Sequence, residues 1–270
     1  MSEQDSSRDV FDARTAQWQA WKAEPWARLR YAVTAATTKQ ALTGLPGRLR
    51  IIDVGGGDGA DSLPLAQAGH DVWILDFSAS LLQTAADAAR LQGASDRVVT
   101  VRSDIDDLAA LRIDGESAAG TFDVVLCHNV VHYRADPAST IADVARLARP
   151  GGVVSVMAPN PAMDVLAAAV RRTDPDAALA VLDAPTVDSA TFDHPMRRVE
   201  AATAEAALVA AGCTLEHHFG IRCVIDLIAD DELKHDPDFY QRLLALELAL
   251  CAREPYWRTA RFWQLAARRN

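Results

Sequence analysis

The stretch Ile51-Ile52-Asp53-Val54-Gly55-Gly56-Gly57-Asp58-Gly59 constrains this chain more than any other. Two β-branched residues running into four glycines within five positions read as a buried strand that stops at a tight turn. Gly55 and Gly57 can take positive φ and leave room where a Cβ would collide, so backbone N–H groups can face a ligand. Residues Ala60 to Ala68, apolar at Leu63, Leu65, Ala66 and Ala68 and stopped by Gly69, predict a helix. A second strand, Asp71 to Leu75, then ends in Asp76, about twenty residues past the turn, where a βαβ nucleotide site places a carboxylate for ribose hydroxyls.

Two cofactors fit these residues. Gly55-x-Gly57-x-x-Ala60 satisfies the loose dinucleotide pattern, whereas Asp53-x-Gly55-x-Gly57-x-Gly59 fits the tighter pattern of S-adenosylmethionine (SAM) sites. SAM has no pyrophosphate for a helix N-terminus and presents instead an ammonium that a carboxylate can balance. Asp53 and Gly59 therefore favour SAM, with Gly55, Gly56, Gly57, Asp76 and the adjoining Phe77 lining it.

The rest of the chain repeats the α/β alternation. Ser78 can cap a helix to Gln92, Val98–Val101 and Phe122–Cys127 read as strands three and four, and a helix from Pro137 to Ala148 leads through the turn Arg149–Gly152 to a fifth strand, Val153–Ala158. Near-continuous apolar strands between helices imply a Rossmann-like, doubly wound, mostly parallel sheet whose ligands bind at the strands' carboxyl ends. Asp53, Asp76, Asp104 and His128 all stand at such ends. Ahead of the sheet, helices at 13–21 and Pro25–Leu42, carrying Trp18, Trp21, Trp26 and Leu29, form a cover over residues 1–47. Residues 48–270 form the catalytic domain, with a lid inserted at about 160–200. Thr203–Ala211 and Pro237–Arg253 read as helices, Thr214–Cys223 and Arg261–Ala267 as the last strands.

The net charge of −10 argues against a surface built wholly for polyanions, though not against a local basic groove. Four cysteines without a CxxC pair, a polar start without a signal-peptide pattern, and no long apolar run point to a cytoplasmic chain away from membranes.

At the third strand end, Asp104 could accept the adenine amine while the Ile105 N–H donates to the ring. His128 and His132, four apart, could share a metal on a helix, but no third ligand is suggested, so no metal is expected. His128 is placed at the cofactor, His132 and Tyr133 at the substrate. No Asp/Asn-Pro-Pro-aromatic tetrad follows the fourth strand and no cysteine follows a proline, which disfavours methylation of exocyclic base amines and the covalent route to C5 of cytosine. What remains is direct in-line displacement, with no catalytic base identified.

These motifs, together with Phe122-Asp123 and Arg149-Pro150-Gly151-Gly152, resemble class I SAM-dependent methyltransferases. Gly69-His70-x-Val72, Asp76-x-Ser78, Ala135-Asp136-Pro137, Gly220-x-Arg222 and Leu244-x-x-Glu247-x-x-x-Cys251-x-x-Glu254-Pro255-Tyr256 resemble, more narrowly, the bacterial tRNA 5-carboxymethoxyuridine methyltransferases. The resemblance implies that Arg30 binds the SAM carboxylate, Gly55 and Gly56 line the methionine, Asp76 holds the ribose, His128 contacts cofactor and Arg222 lies near the substrate entrance. It implies methyl esterification of a carboxylate on a wobble uridine, with tRNA docking on Arg222, Arg253, Arg258 and Arg261. The chain departs from the family at Thr173–Met196, which holds five Asp and no Lys or Arg, and at His132-Tyr133. Alternatives are a SAM-dependent O- or N-methyltransferase of a small metabolite and a non-catalytic SAM-binding partner subunit.

Overall fold

The computed structural model describes residues 21–188 and 195–270. One sheet contains β1 (Arg50–Val54), β2 (Asp71–Asp76), β3 (Val98–Arg102), β4 (Phe122–His128), β5 (Ala148–Pro159), β6 (Cys213–Ile221) and β7 (Phe262–Arg269). The spatial order is β6-β7-β5-β4-β1-β2-β3, with β1 to β5 parallel and β7 antiparallel to both neighbours. The order reverses between β1 and β4, so the switch point that gathers ligands in such sheets lies there.

The helices are α1 (Pro25–Ala41), α2 (Leu63–Gln67), α3 (Ala79–Leu91), α4 (Pro137–Leu147), α5 (Pro161–Leu166), α6 (Pro175–Leu182), α7 (Ala201–Ala210) and α8 (Pro237–Leu250). Six of these eight carry proline in the first turn, where a preset φ helps and no N–H is missed. Ser78, Asp136, Asn160, Asp174 and Asp236 each accept a first-turn N–H as N-caps. Helices cover both faces. Val154, Val156, Trp263 and Leu265 join one core with α4 and α7, while Val153, Met157, Phe219 and Ala266 join another with α1 and α8.

Four differences from expectation have physical causes. The helix expected over Ala60–Ala68 shortens to α2, because Gly59 takes φ +75° and Pro64 sets the first turn, leaving residues 57–62 as turns. Arg149–Gly152 is not a free turn but a bulge within β5: Phe122 pairs with Ala148 and Val124 with Val153, and Asp123 holds Arg149 Nε at 2.6 Å. The last helix stops at Leu250 rather than Arg253, since the Cys251 carbonyl accepts the Gly220 N–H at 2.7 Å. The described residues of 161–200 hold more structure than a bare lid: α5, a π-helical turn at Ala167–Arg171, α6, and an antiparallel pairing of Thr186–Asp188 with Pro195–Arg197.

The expected helix at 13–21 lies outside the described residues except for Trp21, and Trp18 lies outside them too. All four cysteines are buried and unpaired. Among the described residues no helix is long and apolar enough to cross a membrane.

Candidate functional site

The glycine turn is built against β2. Gly55 and Gly56 both donate to the Leu75 carbonyl, at 2.8 and 3.0 Å, and Gly57 donates to Asp76 Oδ2 at 2.9 Å. The expectation that these N–H groups face a ligand is therefore corrected: they stitch the turn to the neighbouring strand. A pyrophosphate cradle needs such donors unoccupied, so the geometry favours SAM over a dinucleotide. A Cβ on Gly55 would lie 2.4 Å from Val130 Cγ2 and one on Gly56 2.6 Å from Asp53 Cγ, whereas one on Gly57 would meet nothing closer than Leu81 Cδ1 at 3.6 Å. Gly59 is crowded by Ile74 and Leu63. Gly55 and Gly56 thus let the segment after β4 and the Asp53 carboxylate close in, while Gly57 leaves space beside Asp76.

Asp76 is fixed at its second oxygen by the Ser78 N–H at 2.9 Å. Phe77 is half-buried next to it, and its carbonyl accepts Arg102 Nε at 3.3 Å. At the end of β3, Asp104 caps the short turn Ile105–Ala110 by accepting the Asp106 N–H, and Ile105 packs on the core. These residues stand at adjacent strand ends, as a shared adenosine site requires.

Asp53 is 2 % exposed, and its Oδ2 has no hydrogen-bond partner among the described residues. Burial, and then the nearby Asp61 carboxylate, push its carboxyl up to about 6. A buried carboxylate with an orphan oxygen beside an open glycine turn is the counterpart an ammonium would complete, so the residues present fit SAM.

Arg30 reaches this region from α1, but its Nη1 and Nη2 form a fork on Asp61 at 3.0 and 2.7 Å, and Nε is left without a partner. Asp61 Oδ2 also meets His128 Nδ1 at 3.3 Å, and His128 Nε2 meets Ser155 Oγ at 2.9 Å. Burial would raise the Asp61 carboxyl, yet Arg30 and the His128 contact hold it well below the usual carboxylate range. Sequence reasoning missed Asp61. Its signal was an acid two residues past Gly59, where the expected helix made it a surface side chain.

His128 ends β4 while His132 lies in a separate turn, Val131–Tyr133, so the pair does not share a helix face. Among the described residues no cluster could hold a metal. His132 is buried with Nδ1 unpartnered, and burial pushes it down to about 3. Tyr133 stacks obliquely on it, with ring centroids 4.1 Å apart. The strand Pro195–Arg197 packs against this turn, which brings that end of the segment beside it.

Arg222 stands just past β6, level with Pro159 at the same end of the sheet. It is 7 % exposed, takes φ +66° and forks onto Asp226. Arg261 bridges Asp226 at 3.4 Å and Asp164 at 2.8 Å, which ties α5 to this corner. The turn is held by Glu247, 0 % exposed, which accepts N–H groups from Cys223, Val224 and Ile225 at 2.5, 3.0 and 2.9 Å. Gly220 admits Trp257, whose Cα would lie 2.5 Å from an added Cβ. The Gly220–Tyr256 block is therefore one structural knot that sets Arg222. Arg258 pairs with Glu254, whereas Arg253, Arg172 and Arg197 are exposed and make no ion pair among the described residues.

Comparison with known proteins extends this geometry. Residues 52–154 match a family model described as a methyltransferase domain. The chain is 29% identical over 258 residues to the tRNA 5-carboxymethoxyuridine methyltransferase of Escherichia coli strain K12, covering 92% of this chain and 94% of that one. It is 41% identical over 115 residues to the ubiquinone biosynthesis O-methyltransferase of Methylococcus capsulatus, covering 43% and 45%. Among solved structures, magnesium protoporphyrin IX methyltransferase from Synechocystis PCC 6803 with bound SAH matches with a TM-score of 0.61 at 17% identity over 99% and 100% of the chains.

Proposed function

Because the chain is a class I SAM-dependent methyltransferase, we propose that it esterifies the carboxylate of 5-carboxymethoxyuridine in tRNA. The observation that carries this reading is the state of the site's histidines. His132, pushed down to about 3, is too weak a base to deprotonate a hydroxyl near neutral pH, and both ring nitrogens of His128 already face protein partners. An acceptor carboxylate arrives ionised and needs no base. Similarity over 92% of the chain to a tRNA 5-carboxymethoxyuridine methyltransferase supports the same acceptor, because it takes in the lid and the C-terminal knot.

SAM, when bound, supplies a methyl group on a sulfonium sulfur. In this reading Asp53 balances its ammonium, Asp76 accepts the ribose hydroxyls, Phe77 flanks the adenosine, and Asp104 with Ile105 reads adenine. Arg30, steadied by Asp61, faces the methionine carboxylate, and His128 walls the cofactor. His132, Tyr133 and the 161–200 segment enclose the acceptor and exclude water, so that alignment and desolvation supply the rate. Arg222 orders the rim, and exposed Arg172, Arg197 and Arg253 meet phosphates from the two sides of the acidic stretch. The work is assigned to the cytoplasm.

A second reading, O-methylation of a small phenol, draws on the partial match to ubiquinone O-methyltransferases. Incubation with labelled SAM and two acceptors separates the readings. A base-labile methyl ester on tRNA carrying the carboxymethoxy group is the expected product; no ester there, with turnover of a catechol, would overturn the proposal.

A further inference from the structure

A line of buried polar side chains crosses the sheet face under α1 and ends at the cofactor site. Gln264 on β7 is 0 % exposed, Ser155 on β5 and Thr37 on α1 are 1 %, and Thr38 is 3 %. Register puts them together: Gln264 and His128 both pair with Met157, so their side chains share one face with Met157 and with Ser155 two residues earlier. That face is otherwise apolar, with Val153, Met157 and Ala266 against Leu29 and Val33. Packing alone would be served by aliphatic residues, and each buried polar group is costly unless hydrogen-bonded.

The distances fix the direction of the bonds. Thr37 Oγ1 lies 2.6 Å from Gln264 Oε1, short enough for O–H···O, and Gln264 Nε2 lies 3.0 Å from Ser155 Oγ and 3.3 Å from Thr38 Oγ1, as N–H···O bonds do. Gln264 Oε1 therefore faces Thr37, whose one hydroxyl proton also has the Val33 and Thr34 carbonyls at 3.0 and 3.1 Å, and its two amide hydrogens go to Ser155 and Thr38. Ser155 Oγ, already accepting from Gln264, turns its own proton to His128 Nε2 at 2.9 Å. That nitrogen is then an acceptor, so the ring proton sits on Nδ1 and is donated to Asp61 Oδ2, the oxygen that also takes Arg30 Nη2.

We propose that Gln264, acting through Ser155, is a positioning residue for the cofactor site: by giving His128 Nε2 a donor it secures the Nδ1–H tautomer that the Asp61 carboxylate requires, and so keeps Asp61 locked between His128 and Arg30. Gln264 touches no substrate in this scheme. Its effect reaches the cofactor through the ring and the Asp61–Arg30 fork, which rests on the SAM reading above.

The test is side-chain ¹⁵N NMR of the cofactor-free protein, with Ser155→Ala, Ser155→Thr and Gln264→Met compared with wild type, and SAM and S-adenosylhomocysteine affinities measured by calorimetry on the same samples. Wild type and Ser155→Thr should show His128 protonated on Nδ1. Ser155→Ala and Gln264→Met should lose that single tautomer and bind both ligands about tenfold more weakly. A folded Ser155→Ala with the Nδ1–H tautomer intact would overturn the proposal, as would a lost tautomer with unchanged affinity in a wild-type background that binds SAM. Should Gln264→Met not fold, the two Ser155 variants decide alone. A wild type that binds neither SAM nor S-adenosylhomocysteine would defeat the cofactor reading instead, while the tautomer remains readable.

Discussion

The two halves of the site are held together by different means. On the β1–β2–β3 side, the parts are neighbours in sequence or on adjacent strands: Gly55 and Gly56 on the Leu75 carbonyl, Gly57 and Ser78 on Asp76, Asp106 on Asp104. On the β5–β7–β6 side, the parts come from distant segments joined by charge: Arg261 to Asp164 and Asp226, Arg171 to Asp231, and Glu247 under the turn after Arg222. The first half is a backbone construction that leaves a shaped space. The second is a network of ion pairs and one buried carboxylate on backbone N–H groups, whose geometry depends on the fold being complete, and such networks weaken as a unit when one member is removed.

The largest effect should come from Glu247→Ala. It strips three buried N–H groups of their acceptor, which should lower stability by about 4 kcal/mol. Chemical denaturation checks the value, and hydrogen exchange should show residues 220–226 opening before β1 and β2. Opening in the reverse order would erase the contrast between the halves.

The next effect is set by pH. The Asp53 carboxyl is raised from an ordinary value of 3.8 to about 6, so between these values the folded protein binds a proton that the unfolded chain releases. The stability this contributes is present below 3.8 and is lost as pH rises towards 6, a change of roughly 3 kcal/mol. Pairing with the cofactor ammonium runs the other way, since it needs the carboxylate. SAM affinity should therefore rise through about pH 6, while Asp53→Asn should be more stable than wild type at pH 7, bind SAM more weakly, and show no such rise. Equal pH dependence in both proteins would remove Asp53 from the ammonium site.

A smaller effect is expected at Asp76. Asp76→Ala takes away the acceptor for the Gly57 and Ser78 N–H groups together with the proposed ribose contact, and should weaken SAM binding by about 2 kcal/mol. Calorimetry on the folded variant would place Asp76 outside the site if the affinity is unchanged.

The same division explains what the sequence made legible. Strand ends, the glycine turn, Asp76 and Asp104 could be read because they rest on local spacing and on the alternation of strand and helix. Arg222 was named only through family resemblance; Asp226 is four positions on, but the turn that follows Arg222 is held by Glu247, twenty-five positions away, which no local pattern joins. Asp61 was hidden by an expected helix that Gly59 and Pro64 cut short. Ser155 and Gln264 did carry a signal, a polar residue inside Val153-Val154-Ser155-Val156-Met157 and another beside Trp263, but which partners they meet is a matter of register across three strands.

If the halves are separable, Arg261→Ala is where they part. It breaks the link from α5 to the Arg222–Asp226 pair and touches nothing in the glycine turn. The decisive measurement is SAM affinity by calorimetry beside kcat/KM on carboxymethoxy-bearing tRNA, both for this variant and for wild type. SAM affinity unchanged within about twofold, with kcat/KM on tRNA lowered about tenfold, is the result predicted here. A parallel loss of both, in a protein that remains folded, would contradict it and make the site a single unit.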